Sequence, residues 1–281
     1  MMQIVYSMDE NSYLLYEKGL DQMLGWMETD NENEYRNDVL QTVVPIAGDY
    51  FELPMQQLAG VCGFWEYYLY TGRTETLEKM YQASKTYLYK WDMGSNGLVV
   101  HRAGSWDWPD WGSNADVPVL ENAWYYKAMS DVVKMAEVLG CTEDIPAMQE
   151  RLDSIEMNYN SFWTEKGYKS TNQAKPDDRA NAMAVLAGLV NESQYPTVEN
   201  VLETIFNASP YMEKYVLDAM CEMGYMEQAQ NRMVTRYTPM ATDNGYTTLW
   251  EMWDKGGGTR NHAWSGGPMI TMSKYLSLIH I

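Results

Sequence analysis

Apolar side chains recur at helical spacing along almost the whole chain. The segments 58–70, 121–139 and 180–189 carry apolar residues around most of the helix circumference, which is typical of helices buried on several sides. A short turn follows each of them, and a more amphipathic segment comes next, as at 75–91 and 145–163. The pattern predicts an all-α fold of repeated helical hairpins, each with a buried inner helix and a surface outer helix.

Four long loops lie in front of predicted inner helices, at 48–54, 104–118, 175–179 and 243–267. In a ring of hairpins, all loops that precede inner helices fall on the same face. These loops are rich in aromatic and acidic residues, whereas ordinary connections are short and polar. We therefore expect a toroid of hairpins over residues 1–275, with one functional site on its loop face.

Composition narrows the class of partner. The chain has 281 residues, is 46% hydrophobic and carries 20 Lys and Arg against 39 Asp and Glu, for a net charge of −19. Because such a surface repels phosphate groups, neither nucleic acid nor an anionic membrane is expected as a partner. No apolar run is long enough to span a bilayer.

The three cysteines, Cys62, Cys141 and Cys221, have neither metal-site nor disulfide-framework spacing. They are predicted to be free core thiols. Their pattern leaves the cellular compartment open, so the protein could be secreted, periplasmic or cytoplasmic.

Two stretches interleave carboxylates with indoles, at 106–112 and 247–254. Indoles stack on the apolar face of a sugar ring while neighbouring acids stay available for proton transfer. A third stretch, 256–267, adds glycines that allow close backbone approach, together with His262 and Trp264. These features favour a carbohydrate substrate, although an indole in such a loop can also simply fill the end of a helical barrel.

Three motifs, in chain order, resemble the catalytic domain of bacterial α-L-rhamnosidases, glycoside hydrolase family 78. They are an Asp-Trp pair ahead of a Trp-Tyr-Tyr helix, the segment 247–253 and the segment 261–267. Further matches at 52–58 and 177–182 extend the resemblance over nearly the whole chain. The resemblance implies a six-hairpin (α/α)₆ barrel, here incomplete because the family's usual opening segment is missing.

The resemblance implies that the enzyme hydrolyses terminal α-L-rhamnosides with inversion of the anomeric centre. Inversion uses a carboxylic acid and a carboxylate base that stand about 6.5–9.5 Å apart. Glu251 matches the family's general base. Alignment on Asp110-Trp111 makes Asp116 the acid and Asp110 the group that holds sugar hydroxyls, with the reverse as the alternative. The family acid is Glu, so an Asp here is one methylene shorter.

The remaining site residues are predicted to bind the terminal sugar. Asp178 and Arg179 could close the rim of the pocket or merely cap a helix. No metal and no cofactor is expected, because two carboxylates suffice for glycoside cleavage. The predicted substrate-binding residues are Asp107, Trp108, Trp111, Trp250, Trp253, Asp178, Arg179, His262 and Trp264.

Two expectations concern the ends of the protein. Flanking β-sandwich domains are expected in the full-length protein, as in the family. Residues 276–281 look like a translated sequencing adapter and are expected to be a non-native tail.

Two other functions stay open at the level of sequence. One is another inverting (α/α)₆ glycosidase of the trehalase or glucoamylase kind, which shares the two-acid chemistry. The other is a catalytically degenerate sugar-binding scaffold. A terpene cyclase or prenyltransferase is disfavoured, because 177–181 is a poor approximation to an Asp-rich metal motif.

Overall fold

A computed structural model describes residues 9–45, 48 and 50–276. Helices are the main regular structure in the described part of the chain, as the apolar pattern predicts. Residues 277–281 of the predicted non-native tail lie outside the described residues. The α-helices are α1 (Tyr13–Gly25), α2 (Pro54–Thr71), α3 (Thr74–Leu88), α4 (Val117–Leu139), α5 (Ile145–Tyr159), α6 (Asp178–Leu186), α7 (Tyr195–Thr204), α8 (Pro210–Glu222), α9 (Met226–Ala241) and α10 (Gly267–Thr271), and the strands are β1 (Trp163–Thr164) and β2 (Gly167–Tyr168).

The chain forms two compact units. Of the described residues, the N-terminal unit contains those from Asp9 to Pro109 and Trp124–Asn160, whereas the C-terminal unit contains Asp110–Ala123 and those from Ser161 to Leu276. Helix α4 contributes residues to both. Within the described ranges, no helix is long and apolar enough to cross a membrane.

The predicted helical hairpins are confirmed. Helix α2 ends at Gly72, whose left-handed backbone (φ 66°) lets the chain turn into α3. Gly224 plays the same part between α8 and α9, with a φ of 91°. In the C-terminal unit, α8 is the inner helix, and α6, α9 and α10 pack against it. Its buried side chains come from most of its surface, as expected for an inner helix.

The N-terminal unit is held together by two carboxylates that accept several hydrogen bonds. Glu17 of α1 accepts from Tyr67 at 3.0 Å and from Thr76 at 2.7 Å, which ties α1 to the α2–α3 hairpin. Glu52 is fully buried and accepts from Arg102 Nε at 2.7 Å and from Tyr87 at 2.9 Å. Glu52 therefore anchors the loop that leads into α2.

Two details of the sequence prediction are wrong. The helix predicted to reach residue 163 ends at Tyr159, and Trp163 pairs with Tyr168 in a short antiparallel hairpin. Gly167 makes that turn possible because its φ is 113°, which side chains rarely allow. A Cβ atom there would also lie too close to Asn181 Oδ1, at 2.9 Å. All three cysteines are free, but Cys141 is only partly buried and is not a core thiol.

Candidate active site

The carboxylate of Glu251 has three hydrogen-bond donors within the C-terminal unit. Its Oε2 accepts from the backbone N–H of Thr259 at 2.8 Å and from Thr259 Oγ1 at 3.0 Å. Its Oε1 accepts from the indole N–H of Trp111 at 3.1 Å. These donors, first of all the Thr259 N–H, lower the pKa of Glu251, so the group stays ionised. Only 12% of its side chain is exposed.

Two backbone hydrogen bonds hold the loop that carries the Glu251 carboxylate. The N–H of Glu251 donates to the carbonyl of Thr259 at 3.0 Å, and the N–H of His262 donates to the carbonyl of Leu249 at 3.0 Å. Gly258 lies beneath the side chain with a φ of 57°, and a Cβ atom there would lie 2.8 Å from Glu251 Oε2. The glycine-rich stretch 256–267 was predicted to let the backbone approach a ligand closely. In the structure, the backbone at Gly258 instead lies close to the carboxylate of Glu251.

His262 and Trp264 lie beside Glu251. His262 Nδ1 is 3.5 Å from Glu251 Oε2, and its ring contacts that of Trp264 in a tilted arrangement, with 3.9 Å between centroids and 32° between the ring planes. The indole N–H of Trp264 donates to the carbonyl of Glu251 at 3.1 Å. Tyr211 continues the aromatic wall at 5.3 Å from Trp264. The site thus combines an ionised carboxylate, an imidazole and aromatic faces, which suits a polyhydroxylated ligand.

The two indoles that flank Glu251 in sequence have different surroundings. Trp250 is buried, with only 4% of its surface exposed, and little of its face is available for stacking on a sugar. Trp253 donates its indole N–H to the carbonyl of Ala208 at 2.7 Å, and Arg236 lies 4.1 Å above its ring. Both side chains support the loop that carries Glu251. Their predicted role in substrate binding remains a prediction.

The two candidate acids are enclosed by protein. Asp110 accepts from the backbone N–H of Ser209 at 2.8 Å and from the Ser209 hydroxyl, and burial raises its pKa to about 6. Asp116 Oδ2 accepts from the N–H of Ser170 at 2.7 Å, while its buried Oδ1 has no hydrogen-bond partner among the described residues. Neither carboxylate has appreciable exposed surface. Donating a proton to a glycosidic oxygen would therefore require the surrounding loop to open, and the acid role remains a prediction.

Arg179 is a structural support for the loop that carries Trp111. It pairs with Asp177 at 2.9 Å and donates to the carbonyls of Ser113 at 2.9 Å and Trp111 at 3.3 Å. Asp177 also caps α6 by accepting from the N–H of Arg179. Asp178 accepts from Arg232 at 2.8 Å. Both Asp178 and Arg179 are fully buried, which favours the helix-cap interpretation over the rim of a sugar pocket.

Asp107 and Trp108 belong to the N-terminal unit. Trp108 is buried and lies 6.2 Å from Trp106, measured between ring centroids. Asp107 is exposed and lies 3.4 Å from His101 Nε2. The binding roles of Asp107 and Trp108 remain predictions.

The loop 205–209 supports the candidate site, although it was not among the predicted functional loops. Ser209 binds Asp110 and caps α8 by accepting from the N–H of Tyr211 at 3.1 Å. The Ala208 carbonyl accepts from Trp253, and the Ala208 N–H donates to Asp178. A signal was available, because a serine followed by proline is typical of an N-cap and first helical position. Nothing in the sequence around Thr259 predicts that it donates hydrogen bonds to Glu251.

A helical-hairpin fold with an ionised carboxylate among indoles suits a glycoside hydrolase. The chain belongs to the family described as the bacterial alpha-L-rhamnosidase six-hairpin glycosidase domain, whose model matches residues 9–276. None of the curated proteins compared with the chain matches it.

Solved structures share this fold. The GH78 rhamnosidase of Bacillus sp. GL1 matches with a TM-score of 0.74 and 22% identity over 92% of this chain and 29% of its own. The α-L-rhamnosidase of Dictyoglumus thermophilum matches with a TM-score of 0.72 and 24% identity, over 90% of this chain and 30% of its own. The Streptomyces avermitilis α-L-rhamnosidase complexed with L-rhamnose matches with a TM-score of 0.74 and 18% identity, over 93% of this chain and 26% of its own. The chain therefore spans less than a third of each of these proteins.

Proposed function

We propose that the protein containing this chain hydrolyses terminal α-L-rhamnosides with inversion, and that Glu251 is the general base. The observation that carries the proposal is the Glu251 carboxylate, kept ionised by Thr259 and Trp111 beside His262 and Trp264. A base must be ionised to take a proton from water. The family membership and the rhamnosidases that share the fold support rhamnose as the sugar.

The chemistry needs a second group, which protonates the departing oxygen. Asp116 is the proposed acid and Asp110 the alternative. The raised pKa of Asp110, about 6, keeps a large share of that group protonated in mildly acidic solution, which an acid requires. Both groups lie in the same unit as Glu251, and Trp111, the neighbour of Asp110, contacts Glu251 directly.

The first experiment tests substrate and stereochemistry together. We expect the purified protein to hydrolyse an aryl α-L-rhamnoside and to leave the matching α-glucoside intact. Proton NMR of the first-formed sugar should show the β-anomer, because an inverting enzyme attacks from the opposite face. Release of the α-anomer would contradict inversion. Hydrolysis of the glucoside alone would favour the trehalase or glucoamylase kind of enzyme.

Leaving-group dependence tests the acid. We expect Asp116→Asn to lower kcat on a rhamnosyl disaccharide by about 10²–10⁴-fold, because its leaving oxygen needs protonation. A dinitrophenyl rhamnoside should be affected far less, because its leaving group departs without a proton. Asp110→Asn tests the alternative acid, since its carboxylate is also buried in the same loop, and a loss confined to the disaccharide in that variant would assign the acid to Asp110. Equal losses on both substrates, together with a lower melting temperature, would assign Asp116 a structural role instead.

The burial of Asp110 and Asp116 also favours a second candidate, a sugar-binding scaffold without turnover. Isothermal titration with L-rhamnose separates the two. Binding combined with no hydrolysis of the activated dinitrophenyl rhamnoside would support the scaffold and contradict the hydrolase.

A further inference from the structure

The hydroxyl group of Thr259 lies between the two polar side chains of the candidate site. Its Oγ1 is 3.0 Å from Glu251 Oε2 and 3.0 Å from His262 Nδ1. Glu251 Oε2 and His262 Nδ1 are themselves 3.5 Å apart, which is long for a hydrogen bond. The two side chains are therefore connected best through the Thr259 hydroxyl.

This hydroxyl has one proton and can donate only one hydrogen bond. If it donated to His262, its oxygen and the Glu251 oxygen would face each other as two acceptors at 3.0 Å. Donation to Glu251 instead gives a bond to a charged acceptor, which is the stronger kind. The hydroxyl therefore donates to Glu251, and His262 Nδ1 must carry a proton that it donates to Thr259.

We propose that Thr259 is a positioning residue that orients the Glu251 carboxylate and fixes neutral His262 as the tautomer with its proton on Nδ1. The part that concerns Glu251 rests on the proposed function. With Nδ1 protonated, Nε2 is an acceptor. Among the described residues, Nε2 of His262 has no hydrogen-bond partner, and 32% of the side chain is exposed.

The tautomer determines what His262 recognises. Its Nε2 accepts a hydrogen bond and therefore selects a ligand group that donates one, such as the hydroxyl of a sugar. The ring of Trp264 contacts one face of the imidazole, with 3.9 Å between ring centroids, and so restricts the direction in which Nε2 points. The backbone hydrogen bond between His262 and Leu249 fixes the same residue at its N–H. Thr259 thus links the carboxylate and the recognition of a sugar hydroxyl in one chain of hydrogen bonds.

Nitrogen NMR tests the tautomer without any activity measurement. The chain contains three histidines, His101, His262 and His280, and His262→Gln identifies the signals of interest. In protein labelled with ¹⁵N-histidine and held at a pH where imidazole is neutral, we expect a pyrrole-type signal from Nδ1 and a pyridine-type signal from Nε2. The opposite pattern, or averaged signals from both tautomers, would overturn the proposal.

Kinetics tests the role towards Glu251. Thr259→Val removes the hydroxyl but keeps the side-chain shape and the backbone N–H donor. We expect kcat on an aryl α-L-rhamnoside to fall by about 10- to 100-fold, because one hydrogen bond to a charged group is lost, and KM to rise, because Nε2 of His262 is no longer held as an acceptor. Thr259→Ser keeps the hydroxyl and should retain most of the activity.

A matched control is Thr242→Val at the end of α9, where the hydroxyl donates only to the carbonyl of Thr238. It should leave kcat unchanged. Wild-type kcat in Thr259→Val, or equal losses in Thr259→Val and Thr259→Ser, would overturn the positioning role. If the wild-type protein hydrolyses no rhamnoside, the proposed function fails, while the NMR measurement still decides the tautomer.

Discussion

Replacing Glu251 with Gln should abolish rhamnoside hydrolysis without unfolding the protein. The amide cannot take a proton from water, and a general base typically contributes about 10²–10⁴-fold to the rate. The pKa of Glu251 lies below its usual range, so the wild-type group is ionised throughout neutral pH and its loss should show at every such pH. The measurement is kcat on an aryl α-L-rhamnoside, with KM followed in parallel.

Asp254→Asn is the matched control for this variant. Asp254 is an exposed carboxylate three residues further along the same loop, and it accepts only from the N–H of Gly256, at 2.8 Å. Its replacement should leave kcat unchanged. The melting temperature of Glu251→Gln should stay close to wild type, because the Thr259 N–H can still donate to the amide oxygen. Turnover at the wild-type rate in Glu251→Gln would rule out its assignment as the base.

Much of the fold and one half of the site could be predicted because their signals are local. Helical periodicity identified the inner helices, and glycines such as Gly72 and Gly224 identified the turns between hairpins. Glu251, His262 and Trp264 come together because they belong to one loop of the chain. For these residues, short separation in sequence made proximity in space predictable.

The other half of the site depends on contacts between distant segments. Asp110 meets Ser209, 99 residues away, and Asp116 meets Ser170, 54 residues away. Local sequence shows that a carboxylate is present but not whether it faces solvent or the protein interior. The acidic residues in the tryptophan-rich stretch therefore suggested catalysis, whereas the structure surrounds them with protein donors. Arg179 illustrates the same limit, since its partners Trp111 and Ser113 lie on a separate segment of the chain.

Removing the buried guanidinium of Arg232 should strongly destabilise the C-terminal unit. Its Nε donates to Glu213 at 2.7 Å and its Nη2 donates to Asp178 at 2.8 Å. Its Nη1 donates to the carbonyls of Leu202 and Ile205. All three charged side chains are buried. Asp178 in turn holds the N–H groups of the loop 205–209, so the guanidinium also fixes the loop that supports Trp253.

Arg232→Met should therefore lower the free energy of unfolding by about 3–5 kcal/mol, because buried Asp178 loses its cation and buried Glu213 keeps only Arg236, at 3.6 Å. Urea denaturation measures the change. Lys274→Met is the control, since Lys274 and its partner Glu222 are both exposed and such pairs contribute only about 0–1 kcal/mol. Arg232→Lys should also destabilise, because a single ammonium group cannot replace donors that reach Glu213, Asp178 and two carbonyls together. If Arg232→Met and Lys274→Met unfold at the same urea concentration, the buried ion network does not stabilise the unit.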